Sequence, residues 1–192
     1  CGDFNSVPGS DVYRYMTEGE LPPPGPLPSC FFADDNLYQL TRWMRAVGLD
    51  VEVVATQRML RESSYVAEIF KRCTAENRGL LTMSRKLMQR RGGRTGSIFQ
   101  VKSQVNLEDE FKRIVSHFQL QLNPDKFYMR CVKCNFIIQA AQRDVIPRDA
   151  IGPDRNVPLA VYDSDEQLFM CCGCKQVYWW GDAASAHRAL SL

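Results

Sequence analysis

The sequence predicts an α/β fold, a mainly parallel sheet flanked by helices, followed by a small cysteine-built ribbon. Two observations carry this. Strand-like and helix-like patterns alternate four times between Cys30 and Phe118, the order that builds a parallel sheet. Beyond them stand two Cys-x-x-Cys pairs, Cys131/Cys134 and Cys171/Cys174, with 36 residues between the pairs. Each pair sits on a tight turn that aims two sulfurs at one point. Four thiolates at about 2.3 Å close a tetrahedral zinc site.

Three segments are expected: a proline-rich linker at 1–29, an α/β domain at 30–123 and a zinc ribbon with an inserted loop at 124–192. Six of the ten prolines lie in the first segment, which favours extended backbone. From Cys30, CFFA reads as a buried strand ending at Asp34 and Asp35. Leu37, Leu40, Met44 and Val47 then recur at helical spacing up to a stop at Gly48, with Arg42 and Arg45 on the opposite face. A second strand covers 51–54. A helix starts near Ser63 and closes at Gly79, followed by a third strand at 80–82. SRKLMQRR forms a third helix that ends at Gly92-Gly93, and SIFQV is the fourth strand. Asn106 caps a last helix whose first turn holds Glu108, Asp109 and Glu110, the end where the helix dipole favours negative charge. Its apolar face uses Leu107, Phe111, Ile114, Val115 and Phe118. RCVKCNFIIQA is a knuckle and strand, 143–167 a polar loop or lid, and CCGCKQVYWWG a second knuckle and strand.

The ribbon's metal is expected to be structural, because four thiolates leave no open position. Cys171 and Cys174 match the spacing of the first pair, so Cys172 is a spare. The other cysteines show no pairing logic and no signal peptide precedes them, which argues against a disulfide-rich secreted fold. A reducing compartment, cytoplasm or nucleus, is expected, and no apolar run is long enough to span a membrane. The first residue is Cys1, which suggests a fragment of a longer polypeptide.

Charge is unevenly placed. Residues 1–29 carry a net −3, residues 30–123 a net +5, and residues 124–192 are balanced. Residues 77–107 contain no acid but hold Arg78, Arg85, Lys86, Arg90, Arg91, Arg94 and Lys102. A solvated helix face is one reading of such a run. Binding of single-stranded RNA through Arg85, Lys86, Arg90, Arg91, Arg94 and Lys102 is the other, with Tyr178, Trp179 or Trp180 as stacking platforms. His117 reads as a packing residue, and His187 is not needed as a ligand.

FFADDNLYQLTRWMRAVGLDVEVV, RGLLTMSRKL, RCVKCN and CCGCKQVYWWG, in that order, resemble the Mut-seven C-terminal domain family. That family combines a PIN-like ribonuclease fold with a zinc ribbon. It occurs alone in prokaryotes and at the C-terminal end of animal 3′–5′ exoribonucleases. The resemblance covers roughly residues 30–190. It implies a PIN-like parallel sheet and a catalytic-position carboxylate at Asp34. It also implies an aspartate in the stretch that here reads Leu80-Leu81-Thr82-Met83-Ser84-Arg85-Lys86-Leu87, so Ser84 stands where that carboxylate belongs. Asp35 and Glu68 are the only nearby candidates to make up the loss. Asp34 alternatively caps the following helix.

The expected function is therefore an RNA-binding accessory module of a 3′–5′ exoribonuclease. It would hold single-stranded RNA for an upstream exonuclease domain of the same polypeptide and be catalytically silent itself. One rival is a metal-dependent PIN-type ribonuclease using Mg²⁺ or Mn²⁺. Another is a scaffold that binds a protein partner through 143–167 or 1–29.

Overall fold

The structure, a computed structural model, describes residues 26–88, 97–102, 106–152 and 156–179. Its centre is a four-stranded, all-parallel sheet in the order β2-β1-β3-β4. The strands are β1 (Cys30–Asp34), β2 (Asp50–Val54), β3 (Arg78–Thr82) and β4 (Ile98–Gln100). Successive strand residues face opposite sides, and helices cover both. Phe31, Ala33 and Leu81 pack with α1 (Tyr38–Ala46) and α5 (Leu107–His117) through Leu40, Met44, Ile114 and Phe118. Phe32 and Leu80 pack on the other side with α2 (Thr56–Arg61), α3 (Ser63–Ala75) and α4 (Arg85–Met88) through Met59, Val66, Ile69, Phe70 and Leu87. A sheet covered on both faces needs continuous apolar strands, which is why CFFA and LLT alternate so little.

Helix ends follow local chemistry. Asn106 caps α5 as expected, accepting from Asp109 N (3.2 Å). Gly48, at φ +86°, closes α1: its N–H reaches Arg45 O (2.9 Å) while Leu49 N reaches Met44 O (3.0 Å). Gly79 does not close α3. That helix stops at Ala75, Asn77 takes the left-handed turn at φ +48°, and Gly79 lies inside β3. There a Cβ would come within 2.8 Å of the Phe31 ring. Helix α2 has no sequence signal beyond buried Thr56 and Met59, and its short span hid it.

The second sheet is antiparallel, β5-β6-β7, built from β5 (Ile138–Ala141), β6 (Leu168–Cys171) and β7 (Val177–Trp179). Strand β6 leads into the second knuckle, so that knuckle has strands on both sides. Within 143–167, turns at Arg143–Val145 and Arg148–Ala150 and the short helix α6 (Leu159–Tyr162) fold back onto this sheet. Ile146 and Val157 join Leu168 and Val177 in its core. Arg143 holds the return of the segment, donating to Tyr162 O (2.9 Å), Glu166 O (2.8 Å) and Ser164 O. The expected polar loop or lid is packed onto the ribbon through Ile146 and Val157, while Val145 and Leu159 stay exposed.

Among the described residues, no helix is long and apolar enough to cross a membrane.

Candidate metal centre and sheet-end site

The two knuckles bring Cys131, Cys134, Cys171 and Cys174 together, with all four Sγ atoms within 4.8 Å of one another. Cys131 and Cys174 are 3.6 Å apart, and Cys134 and Cys171 are 3.3 Å apart. Sulfurs placed tetrahedrally about 2.3 Å from one ion stand roughly 3.8 Å apart, so the cluster can hold a metal such as zinc. Among the described residues, no other group of three or more His, Cys, Asp or Glu side chains offers this. Cys172 is exposed and outside the cluster. The residue after the second cysteine of each knuckle, Asn135 (φ +72°) or Lys175 (φ +60°), is left-handed, which turns the chain tightly under the sulfurs.

The polar surroundings suit thiolates. Gly173 N donates to Cys171 Sγ (3.3 Å) and Tyr178 Oη lies 3.1 Å from Cys131 Sγ. Burial raises the Cys134 thiol, but the Phe136 N–H and the neighbouring thiols outweigh it and bring it down to about 7. Burial pushes Cys171 up to about 12. Metal loading must therefore displace protons from the cluster.

The first knuckle is anchored to the parallel sheet. Arg45 and Arg42 were expected on an open helix face, yet each is only 4% exposed. At Arg45 it is the first knuckle that covers the face. Arg45 donates through Nε (3.0 Å) and Nη2 (2.7 Å) to Val51 O, and through Nη1 to Val132 O (3.1 Å) and Lys133 O (2.9 Å). The last two carbonyls lie between the knuckle's cysteines. Asn135 completes the joint, accepting from Val51 N (3.1 Å) and donating to Asp50 Oδ1 (2.8 Å). The knuckle thus satisfies backbone groups of edge strand β2 that would otherwise be open to pairing. Asp50 also accepts from Arg78 at 3.0 and 3.1 Å, and Arg130 stands 3.5 Å away. Burial works against the Asp50 carboxylate, but Arg78 and Asn135 hold it below its ordinary value. Arg78 also pairs with Glu52 and Glu76, so this arginine of the acid-free stretch is bound internally.

At the C-terminal end of the parallel sheet, Asp34 is completely buried. It does not cap the turn that follows it. Its carboxylate crosses to β3, where Oδ2 accepts from Thr82 Oγ1 (2.7 Å) and Met83 N (2.9 Å). Oδ1 is left without a hydrogen-bond partner among the described residues, as nearby Thr56 donates instead to Asp35 Oδ1 (2.6 Å). Burial raises the Asp34 carboxyl above its ordinary value, only partly offset by Thr82 and Met83. Ser84 N donates to Thr82 Oγ1 (3.0 Å), which makes the β3–α4 turn rigid. Asp35 and Glu68 are exposed.

Arg85 and Lys86 on α4, and Lys102 just past β4, are exposed beyond the ends of neighbouring strands β3 and β4. Arg90, Arg91 and Arg94 lie outside the described residues, as do Trp180 and His187. His117 is exposed, with its ring tilted toward Phe99 and edge-on to Phe118, centres 5.0 and 4.7 Å away. Tyr178 turns to Cys131 and Trp179 packs on the ribbon core, so neither is an open platform. Among the described residues at the knuckles, the exposed ring is that of Phe136.

The chain is thus an α/β protein whose helix-covered parallel sheet carries a buried carboxylate at its C-terminal end and is joined to a four-cysteine ribbon that could hold a metal ion. Residues 29–190 match the family described as the Mut7-C RNAse domain, and the chain belongs to that family. Comparison with curated proteins and with solved structures finds no match.

Proposed function

We propose that this chain is an RNA-binding accessory module of a 3′–5′ exoribonuclease. It holds single-stranded RNA for an upstream exonuclease domain and does not cleave RNA itself. The observation that carries this reading is the state of Asp34. Its Oδ2 is taken up by Thr82 and Met83, the side chain is sealed from solvent, and Ser84 stands at the family's second carboxylate position. A divalent ion that keeps most of its waters needs fixed anionic ligands. One buried carboxylate, itself raised by burial, supplies little of that. Without a held metal, water is not activated and charge on the phosphate loses its main stabiliser. Arg85, Lys86 and Lys102, with Arg90, Arg91 and Arg94, supply cations for the phosphate backbone. Zinc held by Cys131, Cys134, Cys171 and Cys174 is structural in this reading: it closes the two knuckles and does no chemistry.

One observation favours a second reading. The unpartnered Asp34 Oδ1 is a free acceptor at the sheet end, where a metal-dependent ribonuclease would place its ion. A single experiment separates the two: labelled single-stranded RNA incubated with the chain in Mg²⁺ and in Mn²⁺, scored for binding and shortening. The accessory reading expects binding without shortening, and binding nearly unchanged in Asp34→Asn. Metal-dependent cleavage that vanishes in Asp34→Asn would establish the nuclease instead.

A further inference from the structure

Phe136 is 61% exposed, the most exposed large apolar side chain among the described residues. It directly follows the first knuckle, and its ring lies against Gly173 at the tip of the second. A Cβ on Gly173 would come within 2.8 Å of Phe136 Cγ and Cδ2, so only glycine lets the ring settle there. One flat face is thereby supported by backbone while most of the side chain stays in water. Tyr128, Met129 and Ile137 are also exposed, at 41–47%, and the Arg130–Ile137 bridge sets their two segments side by side. An exposed strip of this kind calls for a partner.

Charge selects the partner's chemistry. No acidic residue occurs from Lys126 to Arg143 or from Gln167 to Gly181. Lys133 and Lys175, one in each knuckle, are exposed, and Lys133 reaches Gln176 across the gap between knuckles. Arg45 stands behind the first knuckle. These three cations more than offset the two net negative charges of a zinc tetrathiolate. A flat aromatic face beside two exposed lysines, with the nearby Asp50 carboxylate already taken up by Arg78 and Asn135, suits a base of a polyanion better than an apolar peptide.

We propose that the Phe136 ring, seated on Gly173 between the two knuckles, is a stacking platform for an unpaired base of single-stranded RNA. This rests on the reading that the chain binds RNA and assigns the base contact to the ribbon. Stacking is sequence-tolerant, since every base has a π face. The platform therefore adds affinity with little dependence on salt.

The test uses the zinc-loaded chain and a short labelled oligoadenylate. Affinity is read across a salt series, alongside zinc content and melting temperature. Phe136→Ala is expected to weaken binding about tenfold with the salt slope unchanged. Phe136→Leu, which keeps apolar bulk without a π face, should weaken it similarly, and Phe136→Trp should bind at least as well as the native chain. Ultraviolet crosslinking should map to the peptide carrying Phe136. If the native chain binds and all three variants bind equally, the platform is wrong, the strip is left to a protein partner, and the RNA-binding reading stands. If the native chain fails to bind, both readings fall.

Discussion

Replacing Arg45 with methionine keeps the aliphatic stem but removes every hydrogen bond between α1, β2 and the first knuckle made by that guanidinium. Its four contacts end on three carbonyls, those of Val51, Val132 and Lys133. Lys133 is exposed, so water can replace the arginine there. Val51 and Val132 are buried, at 0% and 9% exposure, and their carbonyls lose this donor. A buried polar group left unsatisfied costs about 1–3 kcal/mol. Relief from burying a guanidinium offsets part of this, which leaves a net loss of about 3 kcal/mol. For a chain of this size that corresponds to roughly 6–12 °C in melting temperature. The carbonyls of Val132 and Lys133 lie within the Cys131–Cys134 turn, so zinc should also leave faster. Thermal melting of the zinc-loaded protein, with zinc release to a chromogenic chelator, reads both effects. Arg45→Lys should fall between the two, since an ammonium cannot span three carbonyls. A methionine variant that melts within a degree or two of the native chain and keeps its zinc as long would refute the clamp.

Cys134→Ser should lose the metal and destabilise the ribbon, whereas Cys172→Ser should retain one zinc per chain by metal analysis, because its sulfur lies outside the cluster. Asp34 carries a pH signature with a definite sign. Burial places its folded pKa above the unfolded value of about 3.9, so the protonated form favours the fold. That stabilisation is complete below the unfolded pKa and is lost as pH rises through the folded one. Denaturant unfolding of Asp34→Asn should therefore show its stability rising relative to the native chain as pH increases above about 4, and a difference that shrinks would contradict the assignment. Gly48→Ala should cost at least about 2 kcal/mol by chemical denaturation. The new Cβ would lie 2.4 Å from Lys126 O, in a left-handed residue that closes α1.

What could be read from the sequence was local. The parallel sheet, its helices apart from the short α2, and the Asn106 cap follow from apolar periodicity and capping chemistry, which depend on residues a few positions apart. The cysteine pairs were equally legible, because Cys-x-x-Cys places two sulfurs on one turn whatever surrounds it. Ser84 and Asp34 could be placed by the order of motifs alone. The fate of the Asp34 carboxylate could not: whether it caps its own turn or crosses to Thr82 and Met83 depends on β3 lying beside β1, a pairing across nearly fifty residues of chain. Arg45 shows the same limit more sharply. On helix α1 alone its place on the polar face argues for solvent, and only the docking of a knuckle 87 residues away turns it into a buried clamp. Arg78 belongs to a stretch without acids in sequence, yet the fold sets Asp50 and Glu52 against it. Phe136 carried no signal of its own within the first knuckle and strand, and the fold leaves it exposed against Gly173. Periodicity reports which face of an element is apolar. What comes to rest on the polar face is decided by long-range packing, and that information is not carried by neighbouring residues.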